Sequence, residues 1–255
     1  MKSNVYVISC QRNANKYAVN CLETVRLQKV AVKKHIFIDD VSSDNTCEII
    51  NNYISQTENS IVEFVQNSER KYRLKNIDDA IESIDDEDGI VCLLDGDDWF
   101  STDQATAIVQ SAYSQNKKLE YVYTNWMYSH DGSLGISQRI PSQDWCAYRD
   151  PWITSAMATF KVSTYKNVPK ANFLDDSGEF FKMGTDHAYV LPITHMLKKK
   201  YGDYSAVGFI DMPLYVYQFV ENQMRRRTNS EEGFWETKTA ADSSSFIRSR
   251  GFLDD

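Results

Sequence analysis

Through the first hundred residues, short apolar runs alternate with helix-period segments, and few folds accommodate that alternation. Val5-Tyr6-Val7-Ile8-Ser9 reads as a buried strand, after which Ala18, Leu22 and Val25 fall on one helical face. His35-Ile36-Phe37-Ile38 is the next strand. Ile49, Ile50, Tyr53 and Ile54 form a helical stripe, and residues 61–65 a third strand. Ile77, Ala80, Ile81 and Ile84 mark a third helix, and residues 90–94 a fourth strand. This β-α-β-α order predicts an α/β fold, with a mostly parallel central sheet flanked by helices on both faces. Right-handed crossovers bring the loops that follow the strands to one carboxyl edge, where ligands of such sheets bind.

The second half is less regular. Residues 121–126 read as a strand and residues 129–152 as a long loop with Gly, Pro, Ser and aromatic residues in no period. Residues 186–199 read as a helix that Pro192 would kink, and residues 214–220 as a last strand. The polar stretch from Asn229 predicts a surface helix or a mobile tail. These features outline a single domain over residues 1–228, with a ligand-binding half at 1–126 and an irregular half at 127–228, followed by the tail at 229–255.

Composition excludes several classes. A hydrophobic fraction of 42% with 25% charged residues is too apolar for a disordered chain. No apolar run approaches the roughly 18 residues that span a bilayer, and Met1-Lys2-Ser3-Asn4-Val5 enters a strand without a signal-peptide layout. Five cysteines, with no CxxC pair, predict reduced thiols in a cytoplasmic protein. A net charge of −8 disfavours nonspecific nucleic-acid binding.

Two acidic clusters follow two different strands. Asp39-Asp40 leads into Val41-Ser42-Ser43-Asp44-Asn45-Thr46, and Asp95-Gly96-Asp97-Asp98 follows the fourth strand. On a parallel sheet both lie at the carboxyl edge, where their mutual repulsion calls for a cation or hydrogen-bond donors. Oxygen ligands suit Mg²⁺ or Mn²⁺, and such an ion would offset charge on a departing nucleoside diphosphate. The first cluster reads equally well as a turn and helix N-cap. The second is less easily a plain solvated turn, since three acids stand directly behind a buried apolar strand.

Taken together, these segments resemble the inverting glycosyltransferases of family 2, which have the GT-A fold. The resemblance spans about residues 3–225. Val5 to Asn13 is similar to the family's first strand and donor-binding loop, which places Gln11 at the donor. Ile38 to Thr46 resembles its Asp-Asp-Gly-Ser-Ser-Asp segment, with Val41 in place of the usual Gly. Leu93-Leu94-Asp95-Gly96-Asp97-Asp98-Trp99-Phe100 resembles its metal motif, of the DXD type. The resemblance implies that Asp40 hydrogen-bonds the donor base, typically uracil. It further implies that Asp97 contacts ribose or metal, that Asp98 holds the metal, and that Asp95 supports them. Arg73, Lys75 and Asn76 stand near the family's Arg-Asn pair at the donor site, and Lys75 is assigned there.

Phe181-Lys182-Met183-Gly184-Thr185-Asp186-His187 resembles the family segment that supplies the general base, which would be Asp186. Gly184-Thr185 reads as a turn and cap, placing Asp186 in a first helical turn, where the dipole favours its ionised form. His187 and His195 have no third ligand at metal spacing and read as partly buried, with His187 at the acceptor site. Gln223 and Arg226 fit the Gln-x-x-Arg-Trp of processive members, but Arg227 replaces the Trp. Arg226 is assigned to the diphosphate, although Arg225–Arg227 is equally readable as a solvated basic run. Trp126, Trp145, Tyr148 and Trp152 are candidates for stacking on an acceptor, or for core.

The resulting expectation is a Mn²⁺- or Mg²⁺-dependent transfer from a nucleotide sugar, a UDP-sugar by the resemblance, to an acceptor hydroxyl. The acceptor is a carbohydrate or another hydroxyl compound, with a modified DNA base a remote option. The alternatives are a nucleotidyltransferase on a similar sheet, although Cys10-Gln11-Arg12-Asn13 lacks a Gly-rich phosphate loop, and a non-catalytic nucleotide-binding protein.

Overall fold

The computed structural model describes residues 3–58, 60–219 and 231–254. The alternating half folds as strands β1 (Val5–Gln11), β2 (Lys34–Asp39), β3 (Val62–Gln66) and β4 (Ile90–Leu93). Helices α1 (Ala18–Arg26), α2 (Thr46–Thr57) and α3 (Tyr72–Glu82) connect them. β1 pairs parallel with both β2 and β4, and β2 pairs parallel with β3.

The remaining strands are β5 (Trp99–Phe100), β6 (Tyr121–Tyr128), β7 (Ala158–Lys161) and β8 (Val207–Tyr217). The helices are α4 (Ala105–Gln115), α5 (Val162–Lys166), α6 (Thr185–Tyr201) and α7 (Glu231–Arg250). The sheet order is β3-β2-β1-β4-β7-β6-β8-β5. β7 runs antiparallel between β4 and β6, β6 and β8 pair parallel, and β5 closes the edge antiparallel to β8. The alternation Ala158-Thr159-Phe160-Lys161 is only four residues long, too short to give β7 a signature of its own. Its place comes from the edge that β4 and β6 leave open.

Because strand side chains alternate, each central strand feeds two cores. Tyr6 and Ile8 of β1 join α3, α5 and α6 on one face, while Val5 and Val7 join α1, α2 and α4 on the other. Ile247 of α7, 1% exposed, enters the first core, so the C-terminal segment packs onto the body. Arg250 adds hydrogen bonds to the Leu174 and Asn172 carbonyls. α6 runs through Pro192 to Tyr201. All five cysteines are free thiols. No helix among the described residues is long and apolar enough to cross a membrane.

Two backbone positions bear on the site. Val41, at φ +63°, keeps the left-handed turn that the resemblance associates with glycine, at a cost on the order of 1–2 kcal/mol. Gly184, at φ +66°, caps α6, and a Cβ there would meet Ser244 Oγ at 3.0 Å.

Candidate active site

The carboxyl ends of β2 and β4 supply acids that the sequence singled out, and that of β1 supplies Gln11 beside them. Asp39 turns inward, accepting hydrogen bonds from Gln11 Nε2 at 2.6 Å and the Ser42 amide at 2.9 Å. Asp40 is also buried and accepts four bonds. They come from Asn67 Nδ2 at 2.9 Å, Arg70 Nε at 3.0 Å, and the amides of Lys71 at 2.8 Å and Tyr72 at 3.0 Å. Burial alone would raise the Asp40 carboxyl, but these donors and the nearby Asn76 amide hold it below its usual range. Asp40 therefore ties the start of α3 to β2 while bordering a small cavity of about 190 Å³ with Gln11, Arg12 and Asn76.

Arg73 is the electrostatic hub. Its Nε donates to Asp95 at 2.7 Å, and its Nη1 donates to Asp186 at 2.8 Å and Thr185 Oγ1 at 2.9 Å. Tyr189 OH donates to Asp186 at 2.7 Å. Asp186 stands in the first turn of α6. Burial pushes its carboxyl up, but Arg73, Tyr189 and His187 outweigh that and hold it below its ordinary value. Asp95 goes the other way. Burial and the charges of Asp186 and Asp97 raise it, and Arg73 only partly opposes them.

These groups open onto a cleft of about 480 Å³, lined by Gln11, Arg12, Arg73, Asp95, Asp97, Lys182, Asp186 and His187. Ser244 of α7 lines it too and contacts His187 Nδ1 at 3.3 Å. A second cavity, about 340 Å³, shares Arg73, Asp95, Asp186 and Tyr217 with the first and is otherwise rich in aromatic walls.

Two expectations need correction. Asp98 does not face the cleft. It is fully buried, and its carboxylate accepts from the Tyr215 hydroxyl and from the Gln218 amide at 2.6 Å. The cause is the alternation of the chain as it enters β5, which turns Asp95 and Asp97 outward and Asp98 toward β8. Lys75 also points away, pairing with Asp79 on its own helix and lying over the Phe180 ring. Arg73, two residues earlier, takes the inward place, since positions two apart on a helix do not share a face. Arg226, with the rest of Gln223–Arg227, lies outside the described residues.

The aromatic candidates divide. Trp126 and Trp152 line the second cavity, whereas Trp145 is core and packs on Tyr204. Tyr148 packs edge-on to His195, which stacks on Phe252. His187 stacks on Trp152 at 4.4 Å between centroids. Sequence reasoning missed Lys182 and Ser244 as lining residues. Lys182 stood in the quoted base segment and was legible there, but Ser244 carried no signal.

Asp98 yields a stability prediction. Its burial and the charges of Asp97 and Asp95 hold its carboxyl well above the usual range, with Gln218 and Tyr215 opposing. A raised folded pKa gives stability that is complete below about pH 3.9, the unfolded value, and lost as pH rises through the folded value. Asp98→Ala should lower unfolding free energy by roughly 2–4 kcal/mol, because two buried donors lose their acceptor. Asp98→Asn should cost less and flatten this pH slope. Urea melts across pH check both, and a melting point unchanged in Asp98→Ala would contradict the buried role.

A parallel half-sheet with acidic loops at its carboxyl edge, extended by a mixed half, is the architecture of the GT-A class of glycosyltransferases. The chain belongs to glycosyl transferase family 2, whose model matches residues 6–164. That membership selects the glycosyltransferase among the activities the sequence left open. No curated protein sequence matches the chain. Among solved structures it is similar to S. aureus TarS. It matches the 1–349 fragment solved with UDP-GlcNAc at 14% identity and TM-score 0.58, covering 96% of this chain and 72% of that one. It spans 42% of the longer TarS chain, of which 94% of this chain is covered at 13% identity and TM-score 0.58. It is also similar to mannosyl-3-phosphoglycerate synthase from Rubrobacter xylanophilus, at 12% identity and TM-score 0.62, covering 99% of this chain and 77% of that one. A third similar structure is glucosyl-3-phosphoglycerate synthase from Mycobacterium tuberculosis, solved with Mn²⁺, UDP and phosphoglyceric acid. There the identity is 10% and the TM-score 0.59, over 99% of this chain and 80% of that one.

Proposed function

We propose that this chain transfers a sugar, with inversion, from a UDP-sugar to an acceptor hydroxyl, with the donor in the first cleft and Asp186 as general base. The observation that carries this reading is that Asp186, Asp95 and Arg73 line both cavities, at their junction. An inverting displacement needs its base on the acceptor side of the anomeric carbon, at such a boundary. There the acceptor oxygen forms its bond to C1 as the bond from C1 to the diphosphate breaks. The hydroxyl proton passes to Asp186, and the nucleoside diphosphate departs.

Arg12, Arg73 and Lys182 face the diphosphate side of this cleft. Gln11 and Asn76, oriented by Asp39 and by Asn67, border the small cavity, which in this reading takes the donor's nucleobase. Asp40 acts there by fixing the loop before α3. Among the described residues no group of three or more His, Cys, Asp or Glu side chains could hold a metal. Asp97, with Asp95 beside it, fits an ion that takes few protein ligands and completes its shell with diphosphate oxygens and water, as Mn²⁺ or Mg²⁺ does. When bound, that ion would neutralise charge on the leaving diphosphate.

Calorimetry tests the donor half. UDP should bind with Mn²⁺ present and at least tenfold more weakly with chelator, and should bind better than other nucleoside diphosphates. Equal affinity with and without metal would overturn the metal assignment, and preference for another base would overturn the uracil assignment.

A further inference from the structure

We infer that the second cavity is an acceptor site for an uncharged pyranose ring, a neutral sugar or sugar terminus rather than an anionic small molecule. This inference rests on the reading of Asp186 as the base, and it names the class of hydroxyl that reaches it.

The cavity, about 340 Å³, is of small-ligand size. Trp126, Tyr128, Trp152, Tyr217 and Phe219 form much of its wall. The rings meet edge to face. Trp126 and Tyr128 lie 4.7 Å apart at 75°, Trp126 and Tyr217 5.5 Å apart at 68°, and Tyr128 and Phe219 4.7 Å apart at 75°. A planar base or aromatic ligand is best held in a slot between parallel rings. Rings at right angles make a corner instead, which suits a puckered ring. One face of a pyranose presents C–H groups that are attracted to the negative face of an aromatic ring, while its hydroxyls project from the rim.

The corner is built before any ligand enters it. Gly135 lies against Trp126 so closely that a Cβ there would fall 2.0 Å from Cε2, and Trp152 is stacked on His187. Rings held in this way lose little freedom on binding.

Charge selects against an anion. Arg73 is the only cation lining this cavity among the described residues, and it already serves Asp95 and Asp186, which line it as well. A phosphate or carboxylate would meet net negative charge beside a guanidinium already paired with two carboxylates. The first cleft differs, since Arg12 and Lys182 line it in addition. The two cavities thus sort an anionic donor from a neutral acceptor.

Saturation-transfer NMR on the full chain, without donor, tests this against methyl glucoside, methyl galactoside, methyl N-acetylglucosaminide and 3-phosphoglycerate. At least one pyranoside should bind, and 3-phosphoglycerate should not. Trp152→Ala should weaken that pyranoside at least tenfold while changing UDP affinity less than twofold. Trp152→Phe, which keeps the packing on His187, should restore part of the binding and guards against misfolding in the alanine variant. Binding of 3-phosphoglycerate, failure of every pyranoside, or pyranoside binding unchanged in Trp152→Ala would overturn the inference. Failure of the donor reading has a separate signature, namely no UDP binding or UDP release while the pyranoside still binds.

Discussion

Asp186→Asn is expected to lower turnover by a factor on the order of 10² to 10⁴, the usual contribution of a positioned general base. The amide keeps an oxygen that can accept from Arg73 Nη1 and Tyr189 OH, so the cleft should hold its shape, but it takes no proton from an acceptor hydroxyl. UDP affinity should change little, because Asp97, Arg12 and Lys182 are untouched. The pH profile adds a second check. Burial raises the Asp186 carboxyl, and Arg73, Tyr189 and His187 lower it further than burial raises it. A depressed pKa keeps the base ionised at neutral pH, with the acid limb of kcat/KM lying below the ordinary Asp value of about 3.9. Arg73→Ala should shift that limb upward. The associated stability is present above the unfolded pKa and is lost as pH falls through the folded one. Near-normal turnover in Asp186→Asn, with only a lowered melting temperature, would sink the base assignment, and His187 would be tested next.

Asp97→Ala should cost on the order of 10² to 10³ in turnover, the scale seen when one group that stabilises transition-state charge is removed. Metal-dependent UDP affinity should fall with it. Its fold should survive, because Asp97 is half-buried in the cleft wall and belongs to neither hydrophobic core. Asp98→Ala should show the reverse balance, with lost stability dominating, because its carboxylate is tied to Tyr215 and Gln218. Turnover and Mn²⁺-dependent UDP binding, measured on both variants with a thermal melt of each, separate the roles. Full activity in Asp97→Ala would place the metal elsewhere.

Local pattern was enough for the parallel half. Its central strands β1, β2 and β4 are mostly apolar runs, as strands buried on both faces must be, and its helices carry 3.6-residue stripes. The mixed half was harder to read. Ala158–Lys161 alternates over only four residues, too few to read locally, and becomes β7 through its partners β4 and β6. Val207 to Phe209 extends β8 because β6 pairs with it from Tyr121 onward, a long-range contact that no local period reports. The polar segment after Asn229 gave no sign that Ile247 would enter the core or that Ser244 would line the cleft.

For the site, the sequence alone determined which loops meet. Acids placed directly after buried parallel strands must lie at one edge, so Asp39, Asp40, Asp95 and Asp97 were brought together by chain order and handedness. It did not determine which way each side chain points. Direction at a strand end depends on the register of the next pairing, and β5 against β8 turned Asp98 inward. Direction on α3 depends on which face packs, and that gave the junction to Arg73 rather than Lys75. Nor was the aromatic corner readable, because Trp126, Trp152 and Tyr217 come from distant parts of the chain. Only tertiary packing, which sets relative ring angles through contacts far apart in sequence, decided that they share one cavity with Asp186.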